Sequence, residues 1–416
     1  MKNILLLLLL LPIALCGQQY TLDDLISHGM EHSWSMQKAS LGSQSSRSSL
    51  ASAKLNLLPE VDLGFNVRHD LYNPQAPELS DLSSSARISV SKTISLNDDA
   101  WFNYKYARLD DQKAALTYSK SSSGYAYSVF SAYLEVLKAQ KQLLSLQKNL
   151  EIQTRVWEQS KVLNQLGKNT AYDVKEAEIA VMNSRISILQ LENTISTQRQ
   201  QLFAMVSLQD EGYELADLEP NPDFQTEGCS VENSTAVKLL KADIKRSELS
   251  GNQVFLGYFP RVNLGYNYDR AVSGQDFELD HYSGSHTISL NLSYSLWNPL
   301  RQSQVDKRSG IGLRLAKLEL ENQIDDLRVQ YETMNLELEY LQNLDGLYRE
   351  KLEQSTEQIR IAEERYRLGL IELLELDKTR VEYINSDIQY NNNRYQILAR
   401  QEAINNLLSR KLLGKW

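Results

Sequence analysis

Residues Glu364–Lys378 read ERYRLGLIELLELDK, and Val162–Glu176, 202 residues earlier, read VLNQLGKNTAYDVKE. Each stretch places a Leu-Gly pair, Leu368-Gly369 or Leu166-Gly167, between two long runs of apolar residues at helical spacing. Glycine takes a positive φ without a Cβ clash, so it suits the residue that ends a helix. Asn169-Thr170 then offers a cap for a returning helix. The two stretches predict the tips of two helical hairpins, at 166–170 and 368–371, one in each half of the chain.

The flanking runs have heptad character. Val129, Val136, Leu143, Leu150 and Trp157 step by seven, with Ala132, Ala139 and Leu146 three residues on. In the second half Leu327, Tyr331, Met334, Leu338, Leu341, Tyr348, Leu352, Ile359, Ala362 and Tyr366 continue the same rhythm, interrupted by Asp345 and Ser355. Leu376, Tyr383, Tyr390, Ile397 and Ile404 repeat it beyond the second tip. Such spacing predicts coiled-coil seams. The helix before the first tip is expected to start near Trp101, with a break near Ser121–Gly124.

Upstream of each helical hairpin the period changes from about 3.5 to 2. Val61–Val67 (VDLGFNV) alternates strictly, and Val262–Tyr268 (VNLGYNY) matches it at an offset of 201. Ile88–Leu96 alternates except for Lys92, and Ile288–Leu296 matches it at an offset of 200. A helix precedes each strand pair, over 21–57 and from Ser234 to Phe255, and Pro59 and Pro260 end these helices. Offsets of 200, 201 and 202 across strands and tips predict a tandem duplication of helix, β-hairpin and long helical hairpin. The first repeat covers 18–209, with its β-hairpin at about 61–96. The second covers 233–416, with its β-hairpin at about 262–296. Between them 210–232, rich in Pro, Gly and acids, predicts an irregular linker.

Composition narrows the class. The chain has 416 residues and a formal net charge of −9, which argues against a nucleic-acid partner. Met1–Gly17 (MKNILLLLLLLPIALCG) is a secretory signal peptide, too short to span a membrane as a helix. Simple cleavage is the leading reading, and lipidation of Cys16 the alternative. Once Cys16 is removed or modified, Cys229 has no partner in the chain, so the fold does not rest on a disulfide. No other apolar run approaches 18 residues, so membrane entry would have to be by β-strands.

The four strands carry Val61, Leu63, Phe65, Val67, Ile88, Val90, Leu264, Tyr266, Leu290 and Leu292 on one face, and Asp62, Asn66, Ser89, Ser91, Asn263, Asn267, Ser289 and Asn291 on the other. That alternation is the signature of transmembrane barrel strands. Four strands cannot close a barrel, because about eight is the practical minimum. Either several chains share one barrel or the sheet packs its apolar face on helices. Trp101, Phe102, Tyr104 and Trp297 follow the return strands and suit a lipid-interface girdle on the helix side.

The ordered set of the export signal, the opening Tyr20–Ile26 (YTLDDLI), the duplicated helix–β-hairpin–helix–helix order and the tip Tyr366-Arg-Leu-Gly369 resembles the TolC family of outer-membrane efflux proteins over roughly 20–413. The resemblance implies a mainly α protein with a membrane β-barrel portion. It implies a homotrimer with one twelve-stranded barrel and a periplasmic coiled-coil tunnel. The function implied is a passive exit duct for tripartite efflux or type I secretion. The tunnel would meet a periplasmic adaptor at Leu166, Gly167, Leu368 and Gly369, and through it an inner-membrane pump or ABC exporter. Outer-membrane lipid would surround the barrel. In the family a carboxylate six residues after the second tip glycine faces the lumen near the closed end. Here that residue is Glu375, with Asp173 at the matching place in the first repeat and Glu372 one turn earlier. A second acid nine residues after the glycine is replaced by Lys378.

The rival readings are a periplasmic or surface coiled-coil interaction protein without a channel, and a zinc hydrolase. Only His28–His32 (HGMEH) favours the hydrolase. It spells an inverted zinc-protease motif but lies in the first helix, and no third ligand stands out. The chain has no Gly-rich phosphate loop, no Cys cluster and no G-x-S-x-G, so neither catalysis nor a cofactor or metal is expected. Its 5 His and 6 Met argue against a dedicated copper or silver route.

Overall fold

The structure, a computed structural model, describes residues 19–69, 82–95, 98–168, 170–222, 224–225, 230–274, 282–368 and 370–412. The signal peptide with Cys16, the lone Cys229, His281 and the tip residue Gly369 lie outside the described residues. The chain runs β1 (Gln19–Tyr20), α1 (Leu22–His32), α2 (Trp34–Leu55), β2 (Glu60–His69), β3 (Leu82–Ser95), α3 (Asp99–Gln165), α4 (Ala171–Met205) and β4 (Glu214–Leu215). After a short 3₁₀ turn at Val231–Asn233 come α5 (Thr235–Leu256), β5 (Arg261–Gly274), β6 (Tyr282–Ser293), α6 (Asn298–Arg367) and α7 (Leu373–Leu407). The predicted class, mainly α with two β-hairpins and two helical hairpins, is the one observed.

Three elements differ from expectation, each for a physical reason. The first helix is two, because Ser33 is extended (φ −70°, ψ 142°), ending α1 through its N–H to Gly29 O and offering its Oγ to Met36 N. α3 is unbroken across Ser121–Gly124, since Tyr125, Ala126, Val129 and Phe130 bury the following turns and packing overrides weak propensity. The strands reach further into the polar stretches than alternation shows, to Gly274 on β5 and back to Tyr282 on β6. There the ladder continues through Asp269, Arg270, Ser273, Gly274, Ser283 and Gly284, where few apolar residues mark the alternation.

Two compact units form, each drawing on both halves of the sequence. The first comprises residues up to Lys38, Lys120–Val231 and those from Leu327 on; the second comprises Ala39–Ser119 and Glu232–Asp326. The first unit's core gathers Leu25 and Ile26 of α1, Phe130, Tyr133 and Val136 of α3, and Leu202 and Phe203 of α4. Fully burying one such side chain contributes about 1.5–3 kcal/mol. The segment after α4 is largely irregular, and polar side chains fasten it. Arg199 forks onto Asp210 at 2.8 and 2.6 Å and holds that carboxyl below its ordinary range through these hydrogen bonds. Tyr133 Oη donates to Ala216 O at 2.6 Å, Tyr395 Oη to Asp217 at 2.8 Å, and Gln401 exchanges two hydrogen bonds with the Asn221 backbone. β4 within this segment pairs in parallel with β1.

The repeat is also written in the helix ends. Ser207 and Ser409, 202 residues apart, are the two non-glycine residues with positive φ among the described residues, at 58° and 53°. Each follows the last turn of its hairpin. Leu208 N bonds Phe203 O at 2.9 Å, and Arg410 N bonds Asn405 O at 2.8 Å, the closing bond of a Schellman end.

Gly29 is required by close approach rather than by φ. A Cβ there would lie 1.9 Å from Tyr125 Oη, whose hydroxyl donates to Met205 O at 3.0 Å. Gly29→Ala is expected to push the tyrosine out and cost about 1–3 kcal/mol, as overpacking does. A lowered urea midpoint checks this, and Gly29→Ala/Tyr125→Phe should recover part of the loss.

In the second unit, α5 is joined to α3 by Lys113–Asp243 at 2.5 Å, Arg246–Asp110 and the Tyr106–Gln253 hydrogen bond at 3.0 Å. Asn298 and Gln302 of α6 cap the last carbonyls of α5, at Gly257 and Val254. The four strands form one antiparallel sheet in the order β2-β3-β5-β6, leaving β2 and β6 as edges.

Candidate functional site

Residues directly opposite in the ladder share a face. Val61 faces Val90, Leu63 faces Ile88, Val262 faces Leu292 and Leu264 faces Leu290. The other rows pair Asp62 with Ser89, Asn263 with Asn291 and Asn267 with Thr287. The apolar face is uncovered by this chain: Leu63, Phe65, Ile88, Leu290 and Leu292 are all exposed, Leu290 to 71%. An exposed apolar sheet face with two open edges is unfavourable in water, and marks an interaction surface. Lys92, the one charge that breaks the alternation of β3, turns its amine back to Asn56 O beyond α2, at 3.4 Å. No helix among the described residues is long and apolar enough to cross a membrane.

At the helix-side margin of this sheet, Trp297 and Trp101 are exposed, and Trp101 stacks tilted against Tyr104 at 5.8 Å under Lys105. Phe102 corrects the expectation that all four aromatics face outward. Only 4% exposed, it lies on the inner side of α3, one residue round the helix from Trp101.

α3 and α4 meet at the first Leu-Gly pair, and α6 ends just before the second. Gly167 has φ +73°; its N–H bonds Asn164 O, and Lys168 N bonds Leu163 O at 2.8 Å. In the second tip Leu370 N bonds Arg365 O in the matching way. Leu166, Leu368 and Leu370 are exposed. Solvent-facing leucines at each turn make a small apolar knob rather than a core.

The three acids near the tips differ in what they do. Asp173 closes a capping box: its carboxylate accepts from Thr170 N at 2.8 Å and Thr170 Oγ1 at 2.7 Å, and these bonds pull its pKa below the ordinary value. Glu372 is the N-cap of α7, but its side chain makes no capping bond, and Glu375 sits in the first turn. Both are exposed, and neither makes an ion pair among the described residues. A helix N-terminus tolerates such acids well.

Asp377 is the residue that sequence reasoning missed. Two residues after the exposed Glu375, it is only 2% exposed. Arg380, one turn on, pairs with it at 3.2 Å and with Glu363 of α6 at 2.9 Å. Its second oxygen has no hydrogen-bond partner among the described residues. Burial raises its pKa, opposed by Arg380 and by Arg155 of α3. Arg155, Glu363, Tyr366 and Arg380 line a groove of about 490 Å³ between these helices. The signal was present: Asp377 lies seven residues before buried Ile384 and three before Arg380. The polar interruptions of the α6 seam are likewise matched. Ser355 Oγ meets Ser386 Oγ at 3.0 Å, and Asn393 Nδ2 reaches Asp345 at 3.3 Å.

The helices carry a second, uncovered seam. On α4, Val181, Ile188, Ile195 and Leu202 are buried, while Tyr172, Ile179 and Ile186, and Met182 and Leu189, step by seven on an exposed face. On α6, Val329 and Leu336, and Tyr340 and Leu347, do the same. His28 and His32 stack ring on ring at 4.3 Å on α1, and no group of three or more metal-ligating side chains exists among the described residues.

The family described as outer membrane efflux protein matches residues 25–207 and 231–410. "Outer membrane protein TolC" of Vibrio cholerae is 24% identical over 292 residues, 65% of this chain and 64% of that protein. The chain thus spans just under two thirds of the curated relative it matches. Among solved structures, the outer membrane protein VceC of Vibrio cholerae superposes with a TM-score of 0.74 at 13% identity, covering 94% of this chain and 96% of that one. The CmeC outer membrane channel of Campylobacter jejuni gives 0.76 at 11% identity, covering 93% and 85%. At these identities the two structures are similar in fold.

Proposed function

The chain belongs to the outer membrane efflux protein family, and we propose that it forms a trimeric exit duct through which cargo leaves passively across periplasm and outer membrane. Membership places it in the outer membrane, with a helical portion in the periplasm. The observation that carries the proposal is the four-stranded sheet, apolar on one exposed face, polar on the other and open at both edges. In lipid every backbone group needs a partner, so the edges must close. Three copies joining β6 of one to β2 of the next give twelve strands and no edge. The exposed heptad rows of α4 and α6 are what neighbouring copies would cover in the tunnel.

In this reading the polar face lines the lumen, and Glu372 and Glu375 ring the tunnel near its closed end and favour cations. The exposed leucines of the tips contact a periplasmic adaptor, which couples the duct to an inner-membrane pump or exporter. The duct itself does no chemistry. In planar bilayers the purified trimer is expected to give stepwise, cation-preferring conductance. Glu372→Gln with Glu375→Gln should reduce that preference. Unchanged conductance and selectivity would sink the ring assignment, and absence of steps the duct.

A further inference from the structure

Resting on the trimer reading, we propose that Trp34 of each copy seats in a pocket of the next copy, walled by Tyr127, Tyr340 and Arg400. Trp34 is 83% exposed, the most exposed aromatic side chain among the described residues, and makes no ring contact or hydrogen bond there. It stands at the start of α2, on the rim of a groove of about 560 Å³, beside Met205 and Ser207 at the end of α4. A large aromatic body left in water marks an interaction surface. On the barrel reading lipid meets the four-stranded sheet, and that sheet belongs to the second compact unit, whereas Trp34 belongs to the first. Its cover is therefore protein.

The pocket lies level with it on the other flank. Tyr127 of α3, Glu337, Tyr340 and Leu341 of α6, and Arg400 of α7 line a space of about 320 Å³. Tyr125 of α3 lines the Trp34 groove, and Tyr127 the pocket. Two residues along a helix are about 3 Å of rise and about 200° of turn. Knob and hole thus stand at one height on opposite sides of α3. A closed ring requires that, because each head-to-tail contact joins two different faces of the chain. Each feature also continues one of the uncovered helix rows. Carried on by sevens through exposed Asn193 and Gln200, the Ile179–Ile186 row of α4 arrives at Ser207, beside Trp34. Tyr340, 62% exposed, is itself a member of the α6 row. The chemistry matches as well. Arg400, paired with Glu337 at 2.6 Å, presents a cation to the face of an indole beside two tyrosines. Ala399 and Ala403 in the same wall take up little space. Trp, Tyr and Arg are the side chains that most often dominate the energetics of an interface.

The test places the photoreactive aromatic residue benzoylphenylalanine at position 34 of the full-length protein in its membrane. Irradiation should give covalent dimers and trimers, and peptide mass spectrometry should place the cross-link within 337–341 or 396–403 of a second copy. In a separate measurement, Trp34→Ala and Tyr340→Ala should each lower the temperature at which the unboiled trimer dissociates in detergent. The double variant should dissociate no lower than the weaker single one, because both changes remove the same contact. Cross-links to another segment, to another protein or to nothing, with the trimer intact, would overturn the seat and leave the trimer standing. Additive effects of the two substitutions would do the same. A protein that runs only as a monomer before irradiation would remove the trimer reading, and the seat with it.

Discussion

Leu290→Arg is expected to abolish the membrane-inserted trimer, while Asn291→Arg, one residue away, leaves it assembled. Leu290 lies on the apolar face opposite Leu264, and Asn291 on the polar face opposite Asn263. An arginine near the bilayer midplane of a barrel costs about 2–4 kcal/mol, and a trimer meets that cost three times. On the lumenal face the same charge stays hydrated, so Asn291→Arg should lower cation preference without loss of assembly. The yield of trimer in the outer-membrane fraction measures the first effect. In the isolated chain Leu290 is 71% exposed, so a water-facing sheet would tolerate both changes alike. Equal yields of the two variants would therefore count against the barrel.

Arg380→Met is expected to lower stability by about 3–5 kcal/mol, the usual cost of leaving a buried charge without its partner. Asp377 is nearly inaccessible, and Arg380 is its ion-pair partner. Adding Asp377→Asn should recover more than half of the loss, because Glu363, the other partner of Arg380, is solvated. The pH dependence has a definite sign. Burial already raises the Asp377 pKa above its ordinary value, and removing Arg380 raises it further. The folded state then holds a proton more readily than the unfolded chain. The single variant should thus gain stability as pH falls through that raised value toward the ordinary carboxylate range, and the double variant should not. Urea midpoints at two pH values decide this. A single variant no weaker than the native protein would show that Arg380 neither offsets the buried Asp377 charge nor ties α7 to α6.

Most of the fold was legible because its signals are periodic. The change of period between Val61–Val67 and the heptads after Val129 separates strand from helix, and an offset near 200 doubles every observation. The Leu-Gly tips were legible because Gly167 needs a positive φ that few residues take. What escaped was context. The break at Ser33 is one residue wide, inside a run that reads as continuous helix. Phe102 and Trp101 are neighbours in sequence but lie on different sides of α3. Asp377 and Glu375 are both acids in the first turns of α7, yet one faces solvent and the other the seam. Composition cannot separate them; only the phase of the heptad through Ile384 does.

The central claim is that three chains complete one barrel. Its most direct test is to extract the membrane fraction and size the unboiled protein in mild detergent. The account predicts release from the outer membrane only with detergent, as a species near three times the chain's mass. A monomer or dimer extracted without detergent would contradict it and favour a coiled-coil interaction protein without a channel.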